Sequence, residues 1–218
     1  MEAKKQRFLD AAQVLFLSKG FESTSVNDIL QYVGASKGAF YHYFASKQAL
    51  LDEFTDQLTQ QTMDQMEKVV QDSSLDFKSR WSAFFEAGYK WKIEHKDQLL
   101  ELHKTMDQDE NVLLKNRIEK TIQRKFLPLL ASLIQEGKDL DVFKLDSALG
   151  CAHFISYGIT GFSQHFSSLL LSEDDVEVRR AEFVELTRTL QQSIARVLGN
   201  DSPDYITVQF DEFIEWIE

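Results

Sequence analysis

Apolar residues recur along the chain at intervals of three and four, the spacing that places them on one side of an α-helix. Phe8, Ala11, Ala12, Leu15 and Phe16 form the first such stripe, over residues 3–19, and Gly20 stands where a left-handed cap would end the helix. Thr24 and Ser25 then offer N-cap oxygens, and Asp28, three residues after Ser25, completes a capping box. Val26, Ile29, Leu30 and Val33 make the stripe of a second, short helix that Gly34 stops. Ser36 caps a third short helix, in which Phe40 and Phe44 lie one turn apart and face inward while Lys37, Tyr41 and His42 point elsewhere. Ser46 caps a long helix over 47–71 that carries Leu50, Leu51, Phe54, Leu58 and Met66. Further helical patterns cover about 76–95, 97–107, 110–136, 144–171, 174–198 and 205–218, and Pro128 is expected to kink or divide the third of these.

The pattern predicts an all-α protein: a three-helix helix-turn-helix domain at residues 1–48, followed by a larger helical domain at 49–218. Composition agrees, because two prolines and nine glycines in 218 residues suit long helices better than many short strands joined by turns. The most apolar stretch, Cys151 to Phe162, is interrupted by His153, Ser156 and Thr160 and falls short of the roughly 18 residues that a membrane span needs. The charged residues between Glu2 and Arg7 leave no apolar signal core, so a cytoplasmic protein is expected. A single cysteine, Cys151, excludes an internal disulfide framework and a multi-cysteine zinc site.

Net charge changes the picture only when divided along the chain. The total is −11, yet residues 1–48 hold six basic residues (Lys4, Lys5, Arg7, Lys19, Lys37, Lys47) and four acidic ones, a net +2 that leaves −13 to the remainder. A weakly basic head on an acidic body is repelled from nucleic acid except at the head. In a helix-turn-helix the second helix of the pair presents its first residues to base edges in the major groove. Gly38 and Ala39 have almost no side chain and allow close approach. Lys37 can donate to guanine O6 or N7, while Thr24, Tyr41, His42 and Lys47 are placed to donate to phosphates.

The run AAQVLFLSKGFESTSVNDILQYVGASKGAFYHYFASKQALL resembles the signature of the tetracycline-repressor (TetR) family. The resemblance covers residues 3 to about 52 and includes Phe16, the Gly20-Phe21 pair, Asp28-Ile29, Gly34, the Ser36-Lys37-Gly38 run, Phe40 to Phe44 and Ser46-Lys47. The family's Tyr-His-Phe order is here His42-Tyr43-Phe44 preceded by Tyr41. The resemblance implies phosphate contacts from Thr24, Ser36, Tyr41, His42 and Lys47, with Lys37, Gly38 and Ala39 against bases. It further implies a C-terminal ligand-binding domain and a homodimer formed by a four-helix bundle of the two long helices at 144–171 and 174–198. Gly150, Ala152, Gly158 and Gly161 are small enough for close helix approach there. Two-fold symmetry would set two recognition helices roughly 34 Å apart on a palindromic double-stranded DNA operator.

For a small-molecule effector, Trp81, Phe85, Tyr89, His103, Phe154 and Tyr157 are the candidate pocket residues, suited to an apolar or aromatic compound. Aromatics at helical spacing also serve as ordinary core. His103 with Asp107, and Cys151 with His153, do not supply the three or four converging ligands of a metal site, so neither metal nor cofactor is expected. Cys151 reads as a small buried hydrophobe or as a redox sensor. No phosphate-cradling loop, nucleophile elbow or His-Glu metal helix recommends an enzyme. The expectation is a ligand-released repressor, with a DNA-bound structural or adaptor protein on the same fold as the alternative.

Overall fold

The computed structural model describes residues 2–94, 111–200, 202, 205 and 211–217, with side chains for 3–90, 111–200, 202, 205 and 213–217. The described helices are α1 (Glu2–Lys19), α2 (Val26–Val33), α3 (Lys37–Tyr43), α4 (Lys47–Gln71), α5 (Phe77–Glu94), α6 (Val112–Asp139), α7 (Ala148–Leu171), α8 (Val176–Leu198) and α9 (Asp211–Ile214). No strand occurs among the described residues, and none of their helices is long and apolar enough to cross a membrane. The helix expected over 97–107 lies outside the described residues. Pro128 does not divide α6. It is exposed, so water can take up the Arg124 carbonyl that loses its helical donor.

The chain folds as two compact units, and the division falls within α4, after Gln61, and within α6, after Ile122. The first unit holds α1 to α3 with the opening turns of α4 and α6. Its core joins Phe8, Phe16, Phe40 and Phe44 to Leu50, Leu51 and Phe54 of α4 and Leu114 of α6. Edge-on ring pairs order it, Phe8 against Phe40 at 5.6 Å and Phe16 against Phe21 at 5.1 Å. The core of the helix-turn-helix thus extends past residue 48, because the three helices before it bury too little apolar surface by themselves.

The second unit holds the rest of α4 and α6 with α5, α7, α8 and α9. Trp81, Phe84, Leu130, Leu133, Ile134, Phe143, Ala152 and Ile155 centre its core. Two sets of polar groups pair across its helices. Arg80 makes a two-pronged ion pair with Glu136, and Gln123 of α6 donates to Thr160 Oγ1 at 2.8 Å while accepting from Ser156 Oγ at 2.6 Å on α7. Such pairing offsets the cost of taking polar groups out of water.

Candidate nucleic-acid interface

Both ends of α2 are fixed by local signals. Ser25 Oγ accepts from the Asp28 amide at 3.1 Å, and the Asp28 carboxylate accepts from the Ser25 amide at 2.7 Å and from Ser25 Oγ at 2.6 Å. Lys19 lies 3.1 Å from the same carboxylate. The Ser25 donors, then Lys19, hold the Asp28 carboxyl down at about 2 from its ordinary 3.8. A carboxylate whose pKa is depressed on folding contributes stability above its unfolded pKa and loses it as pH falls through the folded value. Acid titration should therefore weaken the first unit between about pH 4 and pH 2. Asp28→Asn should flatten that part of the curve, followed by circular dichroism; an unchanged acid limb would remove this role.

At its other end α2 closes on Gly34, which holds φ 68° and returns its amide to Leu30 O. No atom lies within 4 Å of the place a Cβ would take, so the dihedral angle alone requires glycine there. Arg7 of α1 reaches across to donate to Val33 O at 2.6 Å, covering a terminal carbonyl that the helix leaves open. Ser36 Oγ then accepts from the Ala39 amide at 3.3 Å and starts α3.

On α3, Phe40 is fully buried and Phe44, its C-cap, is 2% exposed, which turns the remaining face outward. Ser36, Lys37, Gly38, Tyr41 and His42 are exposed on it and Ala39 is half-buried. The Lys37 ammonium sits 5.9 Å from the Tyr41 ring, one turn along. A Cβ on Gly38 would meet only Ser36 Oγ, at 4.0 Å. Nothing inside the protein demands glycine at that position, where it weakens the helix. The outward face is thus cationic and hydroxyl-bearing at its start, with a gap in its side-chain cover.

Thr24 and Lys47 behave differently from the other expected DNA contacts. Thr24 is buried, and its hydroxyl reaches Gly20 O at 2.7 Å and Leu15 O at 3.3 Å. The Lys47 ammonium donates to Phe21 O and Thr24 O, each at 2.8 Å, with Glu22 O at 3.5 Å, and lies 4.1 Å from the centre of the Phe21 ring. Burial lowers the Lys47 pKa, against the opposing pull of Glu22 and Asp28. In this conformation both side chains bind the α1–α2 turn together. A threonine before a helix cap and a lysine after one look the same in sequence whether their partner is a carbonyl of the same chain or a phosphate. Lys47→Met is expected to destabilise the protein by about 1–3 kcal/mol in urea denaturation, because it removes the donor that Thr24 O and Phe21 O share, leaving Phe21 O only the Thr24 amide. A lysine serving only as a phosphate ligand would leave the denaturation midpoint unchanged and lower the salt slope of DNA binding by about one.

Of the residues expected to line an effector pocket, Trp81 and Phe85 pack together while Phe154 and Tyr157 face outward. Trp81 and Phe85 are buried, with Trp81 4.9 Å from the Phe143 ring, 5.1 Å from the Phe85 ring, and donating from Nε1 to Tyr205 O at 2.8 Å. Tyr89 is half-buried, and His103 lies outside the described residues. Phe154 and Tyr157 are instead 56% and 64% exposed. The reason is rotational: α7 turns Ala152, Ile155 and Ser156 inward, and positions two along from 152 and 155 fall on the opposite side. With Gly150 and Gly161, also exposed, they form one outward strip at intervals of four, three and four. On α8, Val178, Ala181 and Val184 are exposed at intervals of three. Cys151 is half-buried with Sγ 3.5 Å from Val197 O, and burial, then Asp146, raises its pKa.

Residues 8–54 match the family model described as bacterial regulatory proteins, tetR family. The HTH-type transcriptional regulator YerO of Bacillus subtilis is 38% identical over 72 residues, an alignment that takes in 33% of this chain and 25% of that protein. The transposon Tn10 TetC protein of Escherichia coli is 28% identical over 151 residues, 64% of this chain and 72% of TetC. The HTH-type transcriptional repressor KstR2 of Mycobacterium tuberculosis is 27% identical over 153 residues, 65% of this chain and 74% of KstR2. Among solved structures, the flavonoid-responsive regulator FrrA superposes with a TM-score of 0.60 at 20% identity, covering 88% of this chain and 97% of FrrA. The fatty acid degradation regulator FadR of Bacillus halodurans does so at 0.59 and 19%, covering 90% of this chain and 95% of FadR, which extends the likeness of fold beyond the head. The residues that match the family model are those that build the capped helix-turn-helix described above, and over residues 8–54 the chain carries the DNA-binding head of the TetR family of bacterial regulatory proteins.

Proposed function

We propose that this TetR-family regulator is a cytoplasmic transcriptional repressor, not an enzyme, that binds a palindromic operator as a homodimer and releases it when a small apolar or aromatic effector binds the second unit. The observation that carries the reading is the outer face of α3. Lys37, Gly38, Tyr41 and His42 stand in solvent while Phe40 and Phe44 anchor the helix behind them. Lys37 and the Gly38 gap would meet base edges, and Ser36, Tyr41 and His42 would donate to phosphates. The basic head and acidic remainder orient encounter in the same sense. The exposed apolar strips of α7 and α8 support the dimer, since a soluble surface rarely leaves so many large apolar side chains uncovered. Release by an effector requires that ligand and DNA prefer different conformations.

Footprinting the DNA upstream of the chain's own gene, at fixed salt and against a panel of small molecules, tests this directly. A short protected palindrome that one compound abolishes is the expected result; absence of any sequence-specific protection would sink the reading. Lys37→Ala should cost about 1–3 kcal/mol of operator affinity and relax base choice at the contacted position, measured by titration against single-base variants of the operator.

A further inference from the structure

The second unit fills one of its own grooves with the segment that carries α9. Phe213, Trp216 and Ile217 are 5%, 8% and 0% exposed, although α9 has only four residues and cannot hold its shape alone. The hold comes from side chains entering between helices. Phe213 lies 6.4 Å from Tyr89 of α5 and 5.7 Å from Phe166 of α7. Trp216 lies 6.1 Å from Phe166, and Phe166 lies 5.0 Å from Phe183 of α8. Arg180 of α8 donates from Nε to the carbonyl oxygen of Ile217 at 3.0 Å, and its Nη1 is 3.8 Å from Glu177. The groove therefore has aromatic walls from three helices and a guanidinium that a carbonyl oxygen of the segment occupies.

We propose that residues 213–217 are a displaceable internal occupant of a binding groove for an aromatic carboxylate. The ligand's ring takes the place of Phe213 and Trp216 among Tyr89, Phe166 and Phe183, and its carboxylate replaces the Ile217 carbonyl at Arg180. This rests on the effector reading above and narrows its ligand class. A carboxylate is a stronger partner for a guanidinium than a peptide carbonyl is. The segment also carries Asp211, Glu212 and Glu215, so it remains soluble once released. Local segments can open at a cost below that of global unfolding. The occupant lowers the ligand's apparent affinity by the fraction of time that it fills the groove.

Hydrogen exchange on the full chain, with and without 2-naphthoate as probe, tests the competition. Exchange should quicken over 211–217 and slow around Phe166. Trp216→Ala removes the competitor and should tighten 2-naphthoate at least tenfold, the opposite of what a loosened fold would do. Arg180→Met should erase the preference for 2-naphthoate over uncharged 2-naphthamide. Undisturbed exchange over 211–217 at saturating probe overturns the proposal. So does an unimproved affinity in Trp216→Ala whose α7 and α8 stay protected; if that variant unfolds, the wild-type exchange decides alone. Operator release by another compound that leaves the segment undisturbed would keep the effector reading and discard this one.

Discussion

Gly38→Leu is expected to raise the stability of the free protein slightly and to abolish recognition of its operator. The position lies inside α3 with solvent above it, and a Cβ would approach only Ser36 Oγ, at 4.0 Å. Leucine fits without strain and has the better helix propensity, so unfolding should cost about 0.5–1 kcal/mol more. The same isobutyl group would stand where a base edge is proposed to lie. Loss of one good base contact is worth about 1–3 kcal/mol, and a two-fold dimer loses it twice, or about 2–6 kcal/mol. Urea denaturation and operator anisotropy titration on one preparation check both halves. A variant that binds the operator as tightly as wild type would show that α3 does not approach the bases there.

The second large effect concerns the exposed strip of α7. Phe154→Glu combined with Tyr157→Glu should leave the monomer folded, because both side chains already face solvent at 56% and 64% exposure. Across a two-fold interface the four introduced carboxylates would be buried on one shared surface, and burying like charges opposes association. The double variant should run as a single chain in sedimentation equilibrium. Its operator affinity should fall by about 10²–10⁴-fold as the second half-site ceases to be tethered to the first. A double variant that remains dimeric would move the interface away from this strip.

The head was largely legible in the sequence because its signals are local. Ser25 and Asp28 lie three residues apart, Gly34 takes the left-handed angle, Ser36 caps α3, and Phe40 and Phe44 lie one turn apart; each can be recognised without knowing the rest of the chain. What could not be read was set by distant partners. Lys47 and Thr24 meet carbonyls of residues 15–24 only because the fold closes that turn over them. Arg7 finds Val33 O 26 residues away. On α7, apolar residues occupy every side of the helix, so periodicity does not distinguish the inward face of Ala152 and Ile155 from the outward face of Phe154 and Tyr157. The groove proposed to take an effector was the least legible part, since aromatic residues make cores and pockets alike.

Leu50, Leu51 and Phe54 of α4 and Leu114 of α6 belong to the core of the first unit, and Asn111 Oδ1 accepts from the Phe21 amide at 3.3 Å. This has a practical bearing on exchanging DNA specificities between regulators. A head cut at residue 48 leaves behind much of the interior that keeps α3 in place, and such a fragment, or a chimera joined there, should fold poorly however well its recognition helix suits the new operator. The transplantable piece runs to Gln61 and must bring the opening turns of α6 with it, which makes it discontinuous in sequence.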